Sequence, residues 1–357
     1  MILLNPGPVT LSPGVRRALA EGADLCHREA EFAALTRDLL AGLEAVYEDA
    51  QDYAAALLTG SGTCGVEAML ATFAPRDRPT LVAANGVYGE RMAEMLRRQG
   101  KPLLLARSEW AAPIDLEAVR RLLDARPDTA CVAAVHHETT TGRLNDLTPL
   151  AALCRERGAE LLIDAVSSFG GEEIPLATWR PLALAGTANK CLHGIPGLAC
   201  VLARRAALEQ ESGHAPSLYL DLGGYYREQR NGFSPFTQAV QAAQALHAAL
   251  AEFAQQGGWG ARRARYQART DRIRARLAAL GVAPLLPAGE SAAMLTAYLM
   301  PAGRSYEALH DSLKAQGFVL YAGQGPFHGR VFRIATMGEI GATDLERLET
   351  ALTEFFA

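Results

Sequence analysis

Lysine is rare in this chain. It occurs at Lys101, Lys190 and Lys314 only, within 357 residues whose lysines and arginines total 35. Lys101 follows the turn-like Gln99-Gly100, and Lys314 lies in the polar helical pattern YEALHDSLKAQG. Lys190 differs, because Thr-Ala-Asn precedes it and Cys-Leu-His-Gly follows it. A lysine there is either a surface amine or a nucleophile. Its poorly solvated flanks favour the nucleophile, since an amine can lose its proton and attack a carbonyl where a guanidinium cannot. Asp164 closes the apolar run LLI. A carboxylate in that setting caps a helix, fills a loop, or meets a cation, because an unpaired buried charge is costly. TGSGT (59–63) ends another apolar run and opens a helical pattern. Its glycines let a ligand approach the backbone, and a helix N-terminus offers free N–H groups to a phosphate; a plain N-cap and tight turn would use the same residues.

In this order, the cradle at Ser61, Gly62 and Thr63, then Asp164, then Lys190 suit pyridoxal 5′-phosphate. The lysine would form an imine with the aldehyde, the aspartate would hold the pyridinium proton, and the helix terminus would hold the phosphate.

Such groups need strands to carry them. Short apolar runs begin near residues 53, 79, 130, 159, 181 and 197, and helical patterns such as GVEAMLATFA, GERMAEMLRRQG, LEAVRRLLDARP and LTPLAALCRERG intervene. Solid apolar strands alternating with helices predict an α/β fold whose mainly parallel sheet is covered on both faces. Ligands bind such sheets beyond the carboxyl ends of the strands, where the polar tails add Asn85, Tyr88, His136, Glu138, Thr140, Ser167, Ser168 and Asn189. Past about residue 255 the pattern shifts to a long Arg-rich helix (259–281), short strands and a C-terminal helix. This predicts a large domain over 1–255 and a small α+β domain over 256–357.

A net charge of −4 and a pI near 6.1 offer no basic field for nucleic acid. The six cysteines include no CxxC pair, which reads as reduced, cytosolic thiols without a metal site. The N-terminus lacks the basic stretch of a signal peptide, and no run reaches the roughly 18 apolar residues of a membrane span. A cytoplasmic protein is expected.

The chain resembles the class V, fold-type I aminotransferases over essentially its whole length. The resemblance rests on LNPGPVTLSP, LLTGSGTCGVEAML, NGVYGERM, VHHETTTGRLN, IDAVSSFGG, ANKCLHGIPG and VFRIATMGE, in that order. It implies that the main sheet is of the seven-stranded type, that Lys190 is the catalytic lysine and proton shuttle, and that Tyr88 stacks on the cofactor ring. Thr140 would lie near the ring oxygen, with Ser167 or Asn189 adding hydrogen bonds. Arg333 would bind the substrate carboxylate, facing a pocket wall made of Asn5, Pro6 and Gly7. The implied reaction moves an amine to a keto acid, from 2-aminoethylphosphonate to pyruvate; alanine– or serine–glyoxylate exchange, or a lyase on a related aminophosphonate, is the alternative. A homodimer with the cofactor at the interface is implied as well. Two stretches depart from the family pattern. GFSPFTQAV has Phe233 where the family places a threonine that reaches the partner's phosphate, leaving Ser234 or Thr237 as substitutes. LCHREAEF (25–32) replaces an Asp-rich stretch.

Overall fold

The computed structural model describes residues 1–210 and 213–357. Seven strands form the main sheet: β1 (Tyr53–Gly60), β2 (Thr80–Ala84), β3 (Leu103–Arg107), β4 (Cys131–Val135), β5 (Glu160–Asp164), β6 (Ala183–Thr187) and β7 (Gly197–Arg204). They lie in the order β1-β7-β6-β5-β4-β2-β3, and neighbours are parallel except at β7, which runs antiparallel to β1 and β6. This is the α/β sheet expected from the apolar runs. On β1, Tyr53, Ala55 and Leu57 enter one apolar cluster while Ala54, Ala56 and Leu58 enter the other. A strand covered on both faces has no polar side to alternate with, which is why the runs are solid. The edge strand β3 has no counterpart among those runs: its three leucines are only partly buried.

Helices α1 (Gly62–Phe73), α2 (Val87–Arg98), α3 (Leu116–Ala125) and α4 (Thr148–Arg157) connect the strands. Gln99-Gly100 is a turn, as the sequence suggests, but Lys101 after it does not reach solvent. It is buried, and Nζ donates to the carbonyls of Leu70 (2.9 Å), Ala71 (2.6 Å) and Ala74 (2.5 Å), closing the C-terminal end of α1. Burial pushes its amine down to about 8. A cation at this end complements the α1 dipole, whose N-terminus is the 61–63 turn.

Helices α5 (Val240–Gln255) and α6 (Gly258–Ala279) lead to a second, antiparallel sheet of β8 (Leu295–Leu299), β9 (Tyr321–Ala322) and β10 (Val331–Ala335), in the order β8-β10-β9. Helices α7 (Tyr306–Ala315) and α8 (Ala342–Phe356) complete the C-terminal part. The chain's first residues join it: Ile2–Leu3 pairs in parallel with Phe318–Val319, and Leu4 packs in the same apolar cluster as Phe318 and Phe332. The NPGP loop leaves from this anchor toward the main sheet. Among the described residues, no helix is long and apolar enough to cross a membrane.

Candidate active site

Lys190 lies in the turn after β6, half-buried, and Nζ donates to Ser167 Oγ at 2.6 Å. It stands 5.8 Å from the centroid of the Tyr88 ring. The turn is braced from behind. His193 N donates to Lys190 O at 2.9 Å, and Arg262 on α6 donates to Cys191 O at 2.6 Å. His193 Nε2 accepts from Gly338 N at 2.9 Å and lies 2.6 Å from the Tyr266 hydroxyl. Burial drives the His193 imidazole well below its ordinary pKa, which suits a ring that must accept.

The NPGP loop rests on the lysine stem. Asn5 is buried and its Nδ2 donates to Pro8 O at 2.9 Å, and Pro6 is buried beside it. Gly7 has φ +111°, and a Cβ there would lie 2.9 Å from Lys190 Cγ and 3.3 Å from Asn189 O. Gly7→Ala therefore strains the backbone and displaces the lysine. Strain of this kind costs on the order of 1–3 kcal/mol. Steady-state kinetics of that variant are expected to give a kcat about tenfold lower.

Asp164, at the end of β5, is buried. Its Oδ1 accepts from Val166 N at 3.0 Å, and it forms no salt bridge among the described residues. Burial raises its pKa, opposed by that N–H and by the charges of Lys190 and Arg91. A cation delivered to this carboxylate would be held in its charged form. Thr63, Tyr88, Arg91, Asp164 and Val166 line one small cavity. The N-terminus of α1 opens beside it: Ser61 and Thr63 are exposed, Ser61 makes no side-chain cap, and a Cβ on Gly62 would strike Val166 Cγ1 at 2.6 Å. A planar ring lying against Val166, a cationic ring nitrogen at Asp164 and a phosphate at Ser61–Thr63 fit this donor set.

The segment after β4 touches the site residue by residue. His137 donates from Nδ1 to Ser167 O at 3.2 Å, and burial pushes its imidazole down to about 3. Thr140 Oγ1 donates to Glu138 Oε1 at 2.6 Å. Thr139 O accepts from Arg333 Nη1 at 2.9 Å. Arg333, on β10, is 1% exposed, and Nε and Nη2 donate to Ala322 O at 3.0 and 2.7 Å. Its strand position calls for an acidic partner, yet it enters no salt bridge among the described residues. Burial lowers its pKa, but a guanidinium stays protonated. Three of its five N–H groups serve carbonyls and two remain for an anion.

The side chains of the remaining residues bond elsewhere. Asn189 Oδ1 accepts from Thr187 Oγ1 at 2.8 Å, along its own strand end. Thr237 is exposed, with Oγ1 3.5 Å from His27 Nε2. Ser234 is buried; its Oγ accepts from Gln238 Nε2 at 2.8 Å and its carbonyl accepts from Arg28 Nη1 at 3.0 Å. Arg28 thus serves the 233–237 segment, and the two departures from the family pattern meet in space. Val166 has no polar signal in the sequence, and its place in the cavity follows from its position two residues after Asp164.

A seven-stranded, mainly parallel sheet with an aspartate and a lysine at adjacent strand ends makes this an α/β protein whose polar site lies beyond the carboxyl ends of the strands. The model of the aminotransferase class-V family matches residues 45–325, and the chain belongs to that family. A protein of Syntrophobacter fumaroxidans (strain DSM 10017 / MPOB), described as 2-aminoethylphosphonate–pyruvate transaminase, is 36% identical over 355 residues, spanning 98% of this chain and 95% of its own. Among solved structures, the aspartate aminotransferase of subgroup IV from Thermus thermophilus superposes with a TM-score of 0.89 at 28% identity, covering 100% of this chain and 99% of its own. The alanine–glyoxylate aminotransferase of Nostoc sp. gives 0.91 at 26% identity, covering 100% and 95%. The protein is an aminotransferase, and its cofactor is pyridoxal 5′-phosphate.

Proposed function

We propose that the protein transfers the amino group of 2-aminoethylphosphonate to pyruvate, giving phosphonoacetaldehyde and alanine. The observation that carries an anionic co-substrate is Arg333, a buried guanidinium with two N–H groups to spare and no carboxylate partner among the described residues. A fork of donors matches the carboxylate of pyruvate or alanine. The donor is supported by likeness to a transaminase described by that reaction, at 36% identity over nearly the whole chain, against 26% for the alanine–glyoxylate structure.

In this reading Ser61, Gly62 and Thr63 hold the cofactor phosphate, Asp164 pairs with the ring nitrogen, and Tyr88 packs against the ring. When bound, the cofactor supplies an electron sink for the carbon that loses its proton. Lys190 Nζ takes that proton and delivers it across the transfer, and Ser167 Oγ is its resting acceptor. Thr140, Ser167 and Asn189 line the ring edge, while Asn5, Pro6 and Gly7 wall the substrate pocket over the lysine. The unit over 1–255 would hold the cofactor, and that over 256–357 would bring Arg333. Exposed Thr237 would face the cofactor of a second copy in a cytoplasmic homodimer.

A panel of amine donors tests the substrate. 2-Aminoethylphosphonate is expected to bleach the visible absorption of the holoenzyme, and pyruvate to restore it with formation of alanine. If 2-aminoethylphosphonate leaves that absorption unchanged while alanine or serine bleaches it, the donor is wrong.

A further inference from the structure

Glu138 has no part in the assignments above, yet it is fully buried and in contact with two of their residues. Its Oε2 accepts from Tyr88 N at 3.1 Å. Its Oε1 accepts from Thr140 Oγ1 at 2.6 Å and from Thr140 N at 3.3 Å. The carboxyl group lies over Gly86: a Cβ there would sit 2.3 Å from Glu138 Cδ. Among the described residues Glu138 forms no salt bridge, and a buried carboxylate without one needs every acceptor filled.

The bonding pattern demands an acid. One backbone N–H points at each carboxylate oxygen. An amide side chain has one acceptor oxygen, so it would serve one N–H and oppose its own NH₂ to the other. The same carboxylate also takes the hydroxyl hydrogen of Thr140. That leaves Thr140 with lone pairs only toward anything bound beside it. Tyr88 lies in the first turn of helix α2 and Thr140 follows strand β4, and Glu138 is the side chain that bonds to both.

We propose that Glu138 is a positioning residue for transamination: its two carboxylate oxygens hold the Tyr88 backbone at the start of α2 and the Thr140 hydroxyl in one arrangement beside the cofactor, with Thr140 presented as an acceptor. This rests on the cofactor-site reading above. Charge-assisted hydrogen bonds of this sort contribute about 1.5–3 kcal/mol each, or roughly ten- to a hundredfold in a rate if the arrangement serves the reaction.

The test compares wild-type and E138Q holoenzymes. Two quantities are read: visible circular dichroism per mole of bound pyridoxal 5′-phosphate, which reports how firmly the ring is oriented, and the split between kcat and KM. E138Q is expected to lose much of the dichroism per bound cofactor and about tenfold or more in kcat, with KM for pyruvate within about twofold of wild type. A structural anchor would lower cofactor content or melting temperature and leave both per-cofactor quantities at wild-type values, and that result overturns the proposal. If E138Q does not fold, E138D is read in its place, since it keeps two acceptor oxygens one methylene short; wild-type values for E138D overturn the proposal equally. A wild-type chain that binds no pyridoxal 5′-phosphate would overturn the underlying site reading instead.

Discussion

Lys190→Ala is expected to lower kcat for transamination by about 10⁴-fold or more, the scale of losing a covalent amine and a positioned proton carrier together. No other lysine can step in: Lys101 is spent on three carbonyls at the end of α1, and Lys314 is exposed on α7. The variant should fold, because the lysine side chain makes one hydrogen bond, to Ser167 Oγ, and the turn is held through backbone atoms by His193 and Arg262. Its melting temperature should stay close to wild type. Treatment with borohydride followed by mass spectrometry should fix the cofactor covalently to wild type and not to the variant. Lys190→Arg should be as inactive as Lys190→Ala although it keeps the charge, since a guanidinium does not give up its proton at working pH. A Lys190→Ala protein turning over within tenfold of wild type would remove the lysine from the chemistry.

The strands that carry this lysine are readable in the sequence because a sheet covered on both faces writes itself as unbroken apolar runs. The edge strand β3 is not, because its short run of leucines, though packed against a cluster on each face, stays partly exposed at the margin of the sheet. Asp164, Lys190 and the 59–63 turn stand out for a local reason: each places chemistry directly after an apolar run. Lys101 misleads for the converse reason. Its neighbours look like a turn, and the three carbonyls that bury it come from about 30 residues earlier. Glu138 shows the same limit, since its partner Tyr88 N lies 50 residues away and is a backbone atom that no side-chain pattern records. The two stretches that depart from the family pattern are separately visible in the sequence. That Arg28 bonds to Ser234 and His27 approaches Thr237 is not, because 206 and 210 residues separate the partners. They form one surface, so a difference in one stretch constrains the other.

Arg333→Lys is expected to raise KM for pyruvate by about 10²- to 10³-fold, equivalent to roughly 3–4 kcal/mol for a truncated buried charge pair, with a smaller change in kcat. The guanidinium is aimed by its own bonds. Nε and Nη2 grip Ala322 O, Nη1 grips Thr139 O, and these fix the plane in which the last two N–H groups point. A lysine ammonium has three donors on a flexible stem, so it can satisfy the carbonyls or the carboxylate but not both in a fixed fork. The substitution also leaves buried carbonyls short of a donor, so some loss of stability is expected, and the melting temperature separates that loss from the kinetic effect. The cofactor's visible absorption should persist, because neither Asp164 nor the 61–63 turn bonds to Arg333. Half-reactions then divide the roles of the two anions. If Arg333 holds both, the variant weakens 2-aminoethylphosphonate and alanine alike. If it weakens alanine and pyruvate alone, the phosphonate is held by other donors. Kinetics in which Arg333→Lys leaves the KM for pyruvate within a few-fold of wild type would mean that its spare N–H groups do not meet the carboxylate.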